Sequence, residues 1–341
     1  MNKIDKTYIE IFNNNNLVPI KDFFEKNKPF TLTVNCMTYN HKNYIRKCLD
    51  SILNQKVNFN VLINIHDDAS TDGTKEILQE YKNKYPNIIN LILETENQYK
   101  KDKTVIAQKF AANFKGKYLA VCEGDDYWDD VYKLATQFYI MEANPDCHFC
   151  VHKTKVINMK DNTEFFYPNY SLKSKNLSSK KFIKLINERY SFQTSSYFRR
   201  GDDYLNFVNN KPKFSELMPN GDEAYLLYYG SLGKVVYINK PMSVYNKFTE
   251  SSWTASSLKY DSATKIERGK RFSQSLLLFD EYTSFKYHNI VMRHYYGLLY
   301  SISKLEKNTR QLFKDKKFRH YLLLHRFWLY CYCVYKYFLR K

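Results

Sequence analysis

The chain has 341 residues, which is enough for one large domain or two smaller domains, each with its own core. Hydrophobic residues make up 44% and aromatic residues 17% of the chain, which excludes an intrinsically disordered protein. The formal net charge of +18 indicates an anionic partner: nucleic acid, an anionic membrane or a phosphorylated small molecule.

The N-terminus and the cysteine pattern predict a cytoplasmic protein. Residues 1–16 lack the long apolar core of a signal peptide, and no stretch offers about 18 uncharged apolar residues for a membrane span. The seven cysteines are scattered, which favours a reducing compartment. Cys147 and Cys150 have the spacing of a redox or zinc pair, but no second pair lies nearby, so a structural role is favoured.

From residue 30 onward, apolar strands alternate with amphipathic helices. The strands are predicted at 30–40, 59–70, 87–97 and 117–128, and the helices at 43–55, 70–86 and 104–116. We expect the last of these helices to end at Gly116. Such alternation predicts an α/β fold with a mostly parallel, Rossmann-like sheet flanked by helices. The periodicity weakens after about residue 155, and from about Leu258 the chain reads as helical and basic.

Polar clusters follow three of the predicted strands, at the points where the strands end. They are Thr38-Tyr39-Asn40, Asp67-Asp68 and the acidic run Glu123 to Asp126. Ligands bind at the carboxyl ends of parallel strands, so we expect the three clusters to converge on one edge. The acidic run is either a solvated turn or a place where a metal ion neutralises the carboxylates.

Five motifs, in this order, resemble those of family 2 glycosyltransferases with a GT-A fold: TLTVNCMTYNHKNYIRKCLDSILNQ, HDDASTDGT, CEGDDYW, NGDEAYLL and VYNKFTESSW. The resemblance covers about residues 30–255 and implies an inverting, metal-dependent enzyme that uses nucleotide-activated sugars. It implies an N-terminal extension (1–29), a glycosyltransferase domain (30–255) and a basic helical C-terminal region (256–341). Within the domain, residues 30–155 would bind the nucleotide sugar and residues 156–255 the acceptor.

The resemblance also implies roles for individual residues. Those that would hold the base and ribose of the nucleotide are Thr38, Tyr39, Asn40 and Asp68. Asp125 would contact the ribose or the sugar, and Asp126 would be the direct ligand of Mn²⁺ or Mg²⁺, which prefer oxygen donors. The habit of the family favours a UDP-sugar as donor.

An inverting transfer needs a base that takes the proton of the acceptor hydroxyl as it attacks. Asp222, at the start of a predicted helix, matches the catalytic carboxylate of the family, and Glu223 is the competing candidate. A purely structural alternative is that Asp222 caps its helix.

One motif departs from the pattern of many relatives, which carry an Arg and a His where this chain has Asn246 and Phe248. If those side chains contact the diphosphate in relatives, Lys247 is the substitute that this chain offers. Trp253 is retained, either to stack on a sugar or to pack in the core.

The last thirty residues mix Lys and Arg with aromatic residues, which is typical of a helix at an anionic membrane surface. The alternative is a helix packed on the enzyme itself. The membrane interpretation predicts a peripheral enzyme on the cytoplasmic face of the inner membrane, acting on a glycan or lipid-linked glycan in surface polysaccharide or lipooligosaccharide synthesis.

Three other interpretations remain: a non-catalytic glycosyltransferase-like module, a nucleotidyltransferase and a nucleic-acid-binding protein. Polar clusters at three strand ends, two of them acidic, disfavour nucleic acid as the partner. The sequence leaves the sugar, the acceptor and the oligomeric state open.

Overall fold

The computed structural model describes residues 4, 10, 13, 16–102, 104–169, 172–188, 192–250, 252–326, 330, 331 and 334. The chain divides into two compact units. The first, here called the sheet unit, comprises Met1–Phe182, Tyr190–Asn210 and Leu232–Ser257. The second, here called the helical unit, comprises Ile183–Arg189, Lys211–Ser231 and Leu258–Lys341.

The described strands all belong to the sheet unit. In chain order they are β1 (Val18–Pro19), β2 (Leu32–Thr38), β3 (Lys56–Val57), β4 (Val61–Asp67), β5 (Ile89–Leu93), β6 (Tyr118–Val121), β7 (Cys147–Asn158), β8 (Glu164–Tyr167), β9 (Lys175–Leu177), β10 (Phe198–Arg200) and β11 (Lys234–Lys247). β1 and β3 form a small antiparallel pair. Within the described ranges, the other nine strands form one sheet in the order β5-β4-β2-β6-β10-β7-β11-β9, with β8 beside β7.

Most strands of the large sheet point the same way. β2, β4, β5 and β6 are parallel neighbours, and β7 pairs in parallel with β11. β10 lies between β6 and β7 and is antiparallel to both. β8 and β9 are antiparallel edge additions. The predicted α/β fold with a mostly parallel sheet is therefore confirmed.

The helices flank the sheet or form the helical unit. They are α1 (Ile45–Leu53), α2 (Thr74–Lys84), α3 (Gln98–Asp102), α4 (Thr104–Ala112), α5 (Lys133–Glu142), α6 (Ser179–Asn187), α7 (Gly201–Asn209), α8 (Lys213–Leu217), α9 (Gly221–Leu232), α10 (Trp253–Ser257), α11 (Ser262–Tyr282), α12 (His288–Leu305), α13 (Thr309–Leu312) and α14 (Lys316–His325). None of the helices in the described ranges has the length and apolar character that a membrane span requires.

Hydrophobic burial explains the elements that the sequence predicts best. All seven residues of β4 are buried, as expected for a central strand covered on both faces. The predicted apolar face of α1 is buried completely: Ile45, Cys48, Leu49, Ile52 and Leu53. Cys147 and Cys150 are both buried free thiols in β7, where side chains three positions apart point to opposite faces of the sheet. Thiols on opposite faces of a sheet cannot bind one metal ion together, so this geometry agrees with the structural role favoured for the two cysteines.

Gly116 does not end a helix, which differs from the prediction. α4 stops at Ala112, and Gly116 lies four positions further on with φ +103°. A Cβ atom at this position would lie 2.6 Å from the carbonyl carbon of Thr31. The glycine is therefore required by a tight turn and by the close approach of β6 to the start of β2.

The helical unit confirms the predicted helical C-terminal region. Asp261 caps α11 by accepting a 2.8 Å hydrogen bond from the Thr264 backbone N–H. The Ser275 hydroxyl of α11 donates to the carbonyl oxygen of Phe214 in α8 at 2.6 Å. The Phe214 ring lies edge-on to Phe279, with 5.2 Å between ring centres. The domain bounds at residues 29 and 255 stay predictions.

α5 buries a lysine completely. The Lys133 ammonium donates a 2.8 Å hydrogen bond to Oε1 of Gln137 and lies 4.0 Å from the centre of the Trp128 ring. Burial lowers the pKa of Lys133 to about 7, because the charged amine loses its hydration. Lys133 therefore titrates near neutral pH in the folded state.

We expect Lys133→Met to flatten the pH dependence of the free energy of unfolding above pH 7. An unfolded lysine has a pKa near 10.4, so between pH 7 and 10.4 only the unfolded state binds this proton, and stability rises with pH. With a folded pKa of about 7, this group contributes about 2 kcal/mol between pH 7 and 9.

Urea titrations at pH 7 and pH 9 measure this effect. Lys180→Met, at an exposed position, is the matched control and should keep the wild-type difference. An unchanged difference in Lys133→Met would show that another group titrates in this window.

Candidate active site

Three carboxylates lie together in the loop after β6. Glu123, Asp125 and Asp126 each offer an oxygen, and these oxygens lie within 4.8 Å of one another. Asp126 is only 1% exposed. Burial, followed by the charges of Asp125 and Glu123, holds the pKa of Asp126 well above its usual range. Carboxylates packed this closely require protons or a cation to offset their repulsion.

Hydrogen bonds from Asn246 on β11, from Thr249 just after it and from Gln193 hold this acidic loop in place. The Asn246 backbone N–H donates to Oδ1 of Asp126 at 3.0 Å, and its side-chain amide donates to the Asp125 carbonyl at 2.6 Å. The Thr249 hydroxyl donates to Oδ2 of Asp125 at 2.8 Å, and Nε2 of Gln193 lies 3.4 Å from Oδ2 of Asp126. Asn246, at the position where the resemblance predicted an Arg, therefore fixes the carboxylate loop.

Gly124 allows the acidic loop to approach the end of β2. A Cβ atom at Gly124 would lie 2.7 Å from Oγ1 of Thr38 and 2.8 Å from Nδ1 of His41. Nε2 of His41 is 3.9 Å from Oδ2 of Asp125. Burial lowers the pKa of His41, so a neutral imidazole faces this carboxylate at pH 7 and the pair is not an ion pair.

The ends of β2 and β4 are tied together by hydrogen bonds. The Thr38 carbonyl accepts from the Asp68 backbone N–H at 3.0 Å. Asn40, with φ +54°, donates its backbone N–H to the Ser70 hydroxyl at 2.8 Å and accepts from the Thr71 N–H at 2.8 Å. The left-handed conformation of Asn40 is one that asparagine tolerates better than most residues. Thr38, Asn40 and Asp68 thus form one connected edge.

Asp68 is buried and already holds two donors. Its Oδ1 accepts from the Gln98 backbone N–H at 2.7 Å, and its Oδ2 accepts from the Tyr99 N–H at 3.1 Å. A carboxylate has about four lone-pair sites, so about two remain for a ligand. Tyr39, the neighbouring predicted nucleotide contact, is half-buried.

The three predicted strand-end clusters therefore converge within the sheet unit. The predicted catalytic base belongs to the helical unit. Asp222 and Glu223 form the first turn of α9, which is grouped in the helical unit, and Asp222 is exposed. The role predicted for Trp253 concerns a side chain outside the described residues.

The structure adds residues to the site for which the sequence analysis predicted no role. His41 and Gly124 lie inside quoted motifs, and Glu123 joins the carboxylates as a third oxygen donor. Gln193 lies in a stretch with no clear periodicity, so no sequence signal identified it.

Residues 33–204 match the family model described as Glycosyl transferase family 2. An uncharacterized protein of Mycobacterium tuberculosis is 30% identical over 226 residues, which cover 65% of this chain and 60% of that protein. Glycosyltransferase GlyA of Streptococcus pneumoniae is 27% identical over 220 residues, which cover 63% of this chain and 30% of that protein.

Among solved structures, S. aureus TarS 1–349 in complex with UDP has a TM-score of 0.56 at 15% identity. The match covers 82% of this chain and 89% of that chain. This likeness shows a shared fold. The matched region spans 60% of the length of the mycobacterial relative.

Proposed function

Because the chain belongs to glycosyl transferase family 2, we propose that it transfers a hexose-type sugar, with inversion, from a nucleotide sugar to a hydroxyl group. The proposed acceptor is a glycan or lipid-linked glycan of surface polysaccharide or lipooligosaccharide synthesis. The observation that carries the proposal is the carboxylate cluster at the converging strand ends, in which Asp125 and Asp126 are buried and Glu123 is half-buried. UDP is the proposed carrier, supported by the UDP complex of the structurally similar TarS.

The carboxylates fit a divalent cation. All three offer oxygen, which is the donor that Mn²⁺ and Mg²⁺ prefer, and Asp126 is buried between two further acids. Asp126 is the proposed direct ligand, and the partners of its oxygens keep its carboxylate oriented. A bound cation would neutralise the charge that develops on the leaving diphosphate.

The remaining proposed roles are binding of the nucleotide sugar and removal of the acceptor proton. The proposed contacts to the nucleotide and its sugar are Thr38, Tyr39, Asn40, Asp68 and Asp125. Asp222 accepts the proton of the acceptor hydroxyl while that oxygen bonds to the anomeric carbon and the nucleoside diphosphate departs. Inversion follows because attack and departure occur on opposite faces of that carbon.

Calorimetric titration of a panel of nucleotide sugars, with and without Mn²⁺, tests the proposed function. We expect one UDP-sugar to bind in the presence of Mn²⁺ and to bind much more weakly without it. A folded sample that binds no member of the panel would support a non-catalytic module instead.

Asp68→Ala is expected to weaken binding of that nucleotide sugar by about 10- to 100-fold, the loss typical of a hydrogen bond to a charged group. Glu96→Ala is the control, because Glu96 is a largely exposed carboxylate between β5 and α3, two positions before Gln98, and is ion-paired with Lys101. The same titration measures both variants. Equal affinity of Asp68→Ala and wild type would remove Asp68 from the nucleotide site.

We also propose that residues 256–341 bind an anionic membrane surface, which would make the enzyme peripheral on the inner membrane. Leu323 and Leu324 of α14 are 44% and 61% exposed, and Lys316 and Lys317 begin the same helix. The rest of the predicted basic segment, 327–341, lies outside the described residues except for 330, 331 and 334.

We expect a Leu323→Ser, Leu324→Ser variant to lose co-sedimentation with phosphatidylglycerol vesicles. A membrane-bound helix gains affinity from its buried apolar side chains as well as from its charge. Leu93→Ser, at an exposed leucine of β5, is the control. Equal sedimentation of the double variant and wild type would contradict the role of this helix.

A further inference from the structure

A group of lysines and aromatic rings lies on β8, at the end of β11 and in the turn between β7 and β8. Nζ of Lys247 lies 5.1 Å from the ring centre of Phe248, 5.5 Å from that of Phe165 and 5.7 Å from that of Tyr167. It also donates a 3.2 Å hydrogen bond to the Tyr167 hydroxyl. Nζ of Lys160 lies 4.3 Å from the ring centre of Phe248. We call these five residues the lysine–aromatic cluster.

Among the residues that the structure describes, the two lysines of this cluster lack a direct carboxylate partner. Across the described part of the chain, neither Lys160 nor Lys247 forms an ion pair with an acidic side chain. Lys155, on the same hairpin, does pair with Glu164 at 2.8 Å. Aromatic rings stabilise a nearby ammonium group but carry no negative charge to cancel it. Two cations held over rings therefore present an anion-binding surface.

The backbone around Lys247 connects the cluster to the acidic loop. In sequence, Lys247 follows Asn246, whose backbone N–H is 3.0 Å from Asp126, and precedes Thr249, whose hydroxyl is 2.8 Å from Asp125. These contacts fix the backbone on both sides of Lys247 against the acidic loop. A ligand on the cluster would therefore lie next to the proposed donor site.

Strand geometry places three members of the cluster, Phe165, Tyr167 and Lys247, on one face of the sheet. Tyr245 and Lys247 are two positions apart on β11, so their side chains point the same way. Tyr245 pairs with Val156 of β7, which in turn pairs with Phe165 of β8. Cross-strand partners share a face, so the rings of β8 lie beside the side chains of Tyr245 and Lys247.

We infer that the lysine–aromatic cluster is an acceptor subsite for a glycan or polyol that carries phosphate groups. The rings of Phe165, Tyr167 and Phe248 are only half-buried, which leaves part of their apolar surface for a sugar or polyol, and Lys160 and Lys247 bind its phosphate. The hydrogen bond from Lys247 to the Tyr167 hydroxyl directs its ammonium toward the rings of β8, so we assign Lys247 to the acceptor and not to the donor diphosphate, the role considered for it from the sequence. The inference rests on the proposed function and specifies the acceptor class for the same site.

Binding of a short glycerol phosphate oligomer to the full chain tests the inference. Lys160→Gln and Lys247→Gln should each weaken that binding about tenfold or more and reduce its dependence on salt, since each removes one charge-assisted contact. Binding of UDP with Mn²⁺ should stay at the wild-type level in both variants. Lys155→Gln is the matched control, since Lys155 is already paired with Glu164. This variant should leave the affinity for the oligomer unchanged.

The possible outcomes separate the sources of phosphate. Weaker binding of UDP by Lys247→Gln, with oligomer binding intact, would assign the cluster to the donor and overturn the inference. Wild-type protein that binds a UDP-sugar with Mn²⁺ but no glycerol phosphate oligomer would also overturn it, while the proposed function would stand. Failure to bind any nucleotide sugar would instead overturn the proposed function.

Discussion

Asp126→Asn is expected to reduce metal-dependent sugar transfer by about 1000-fold or more, because a bound divalent cation supplies several kcal/mol of charge stabilisation. The amide has nearly the same shape as the carboxylate and keeps an oxygen for the Asn246 N–H, so the loop should retain its fold. Steady-state rates with the UDP-sugar at saturating Mn²⁺ measure the effect. Asp202→Asn, at an exposed position in the first turn of α7, is the control.

For the same variant we also expect a change in melting temperature, which can be measured without an activity assay. The pKa of Asp126 is raised in the folded state, mainly by burial and then by Asp125 and Glu123. Above the unfolded value near 3.9, the unfolded state releases this proton more readily, so folding stability falls as pH rises toward the folded pKa. Without metal at pH 7, Asp126→Asn should therefore melt at a higher temperature than wild type.

Added Mn²⁺ should reverse that order. It should raise the melting temperature of wild type by mass action and leave Asp126→Asn nearly unchanged. Wild-type turnover by the variant, or an equal Mn²⁺ shift in both proteins, would refute Asp126 as the metal ligand.

The sequence predicts the parallel half of the sheet because each of its elements carries its own signal. β2 and β4 are short apolar runs, and α1 shows a helical apolar face, so burial alone decides their conformation. The polar residues that follow these strands converge for the same reason, since parallel strands end at a common edge. The local sequence pattern was therefore sufficient to predict the elements whose partners in the sheet are neighbouring parallel strands.

The sequence does not predict the contacts that orient the carboxylates, because their partners are far apart along the chain. Asn246 and Asp126 are 120 positions apart, and their hydrogen bond depends on how β11 packs in the sheet. The antiparallel insertion of β10 between β6 and β7 is equally non-local, since nothing in its three residues indicates which strands it will pair with. Pairings of this kind are decided by tertiary packing rather than by local preference.

Asp222→Asn is expected to leave nucleotide-sugar affinity unchanged and to lower turnover by about 100- to 10,000-fold, the range typical of losing a general base. The variant should also lose the acidic limb of the pH–rate profile, because that limb reports the ionisation of the base. Calorimetry and initial rates on the same sample separate binding from turnover. Stability should change little, since a carboxylate in the first turn of a helix contributes about 0.3–1 kcal/mol.

Glu223→Gln is the matched control, since Glu223 lies beside Asp222 in the same first turn of α9. If Asp222 is the base, Glu223→Gln keeps most of its turnover and retains the acidic limb. The reverse result would transfer the role to Glu223. Full turnover by Asp222→Asn with a lowered melting temperature would show that Asp222 only stabilises the start of its helix, and the base would then have to be sought among other carboxylates.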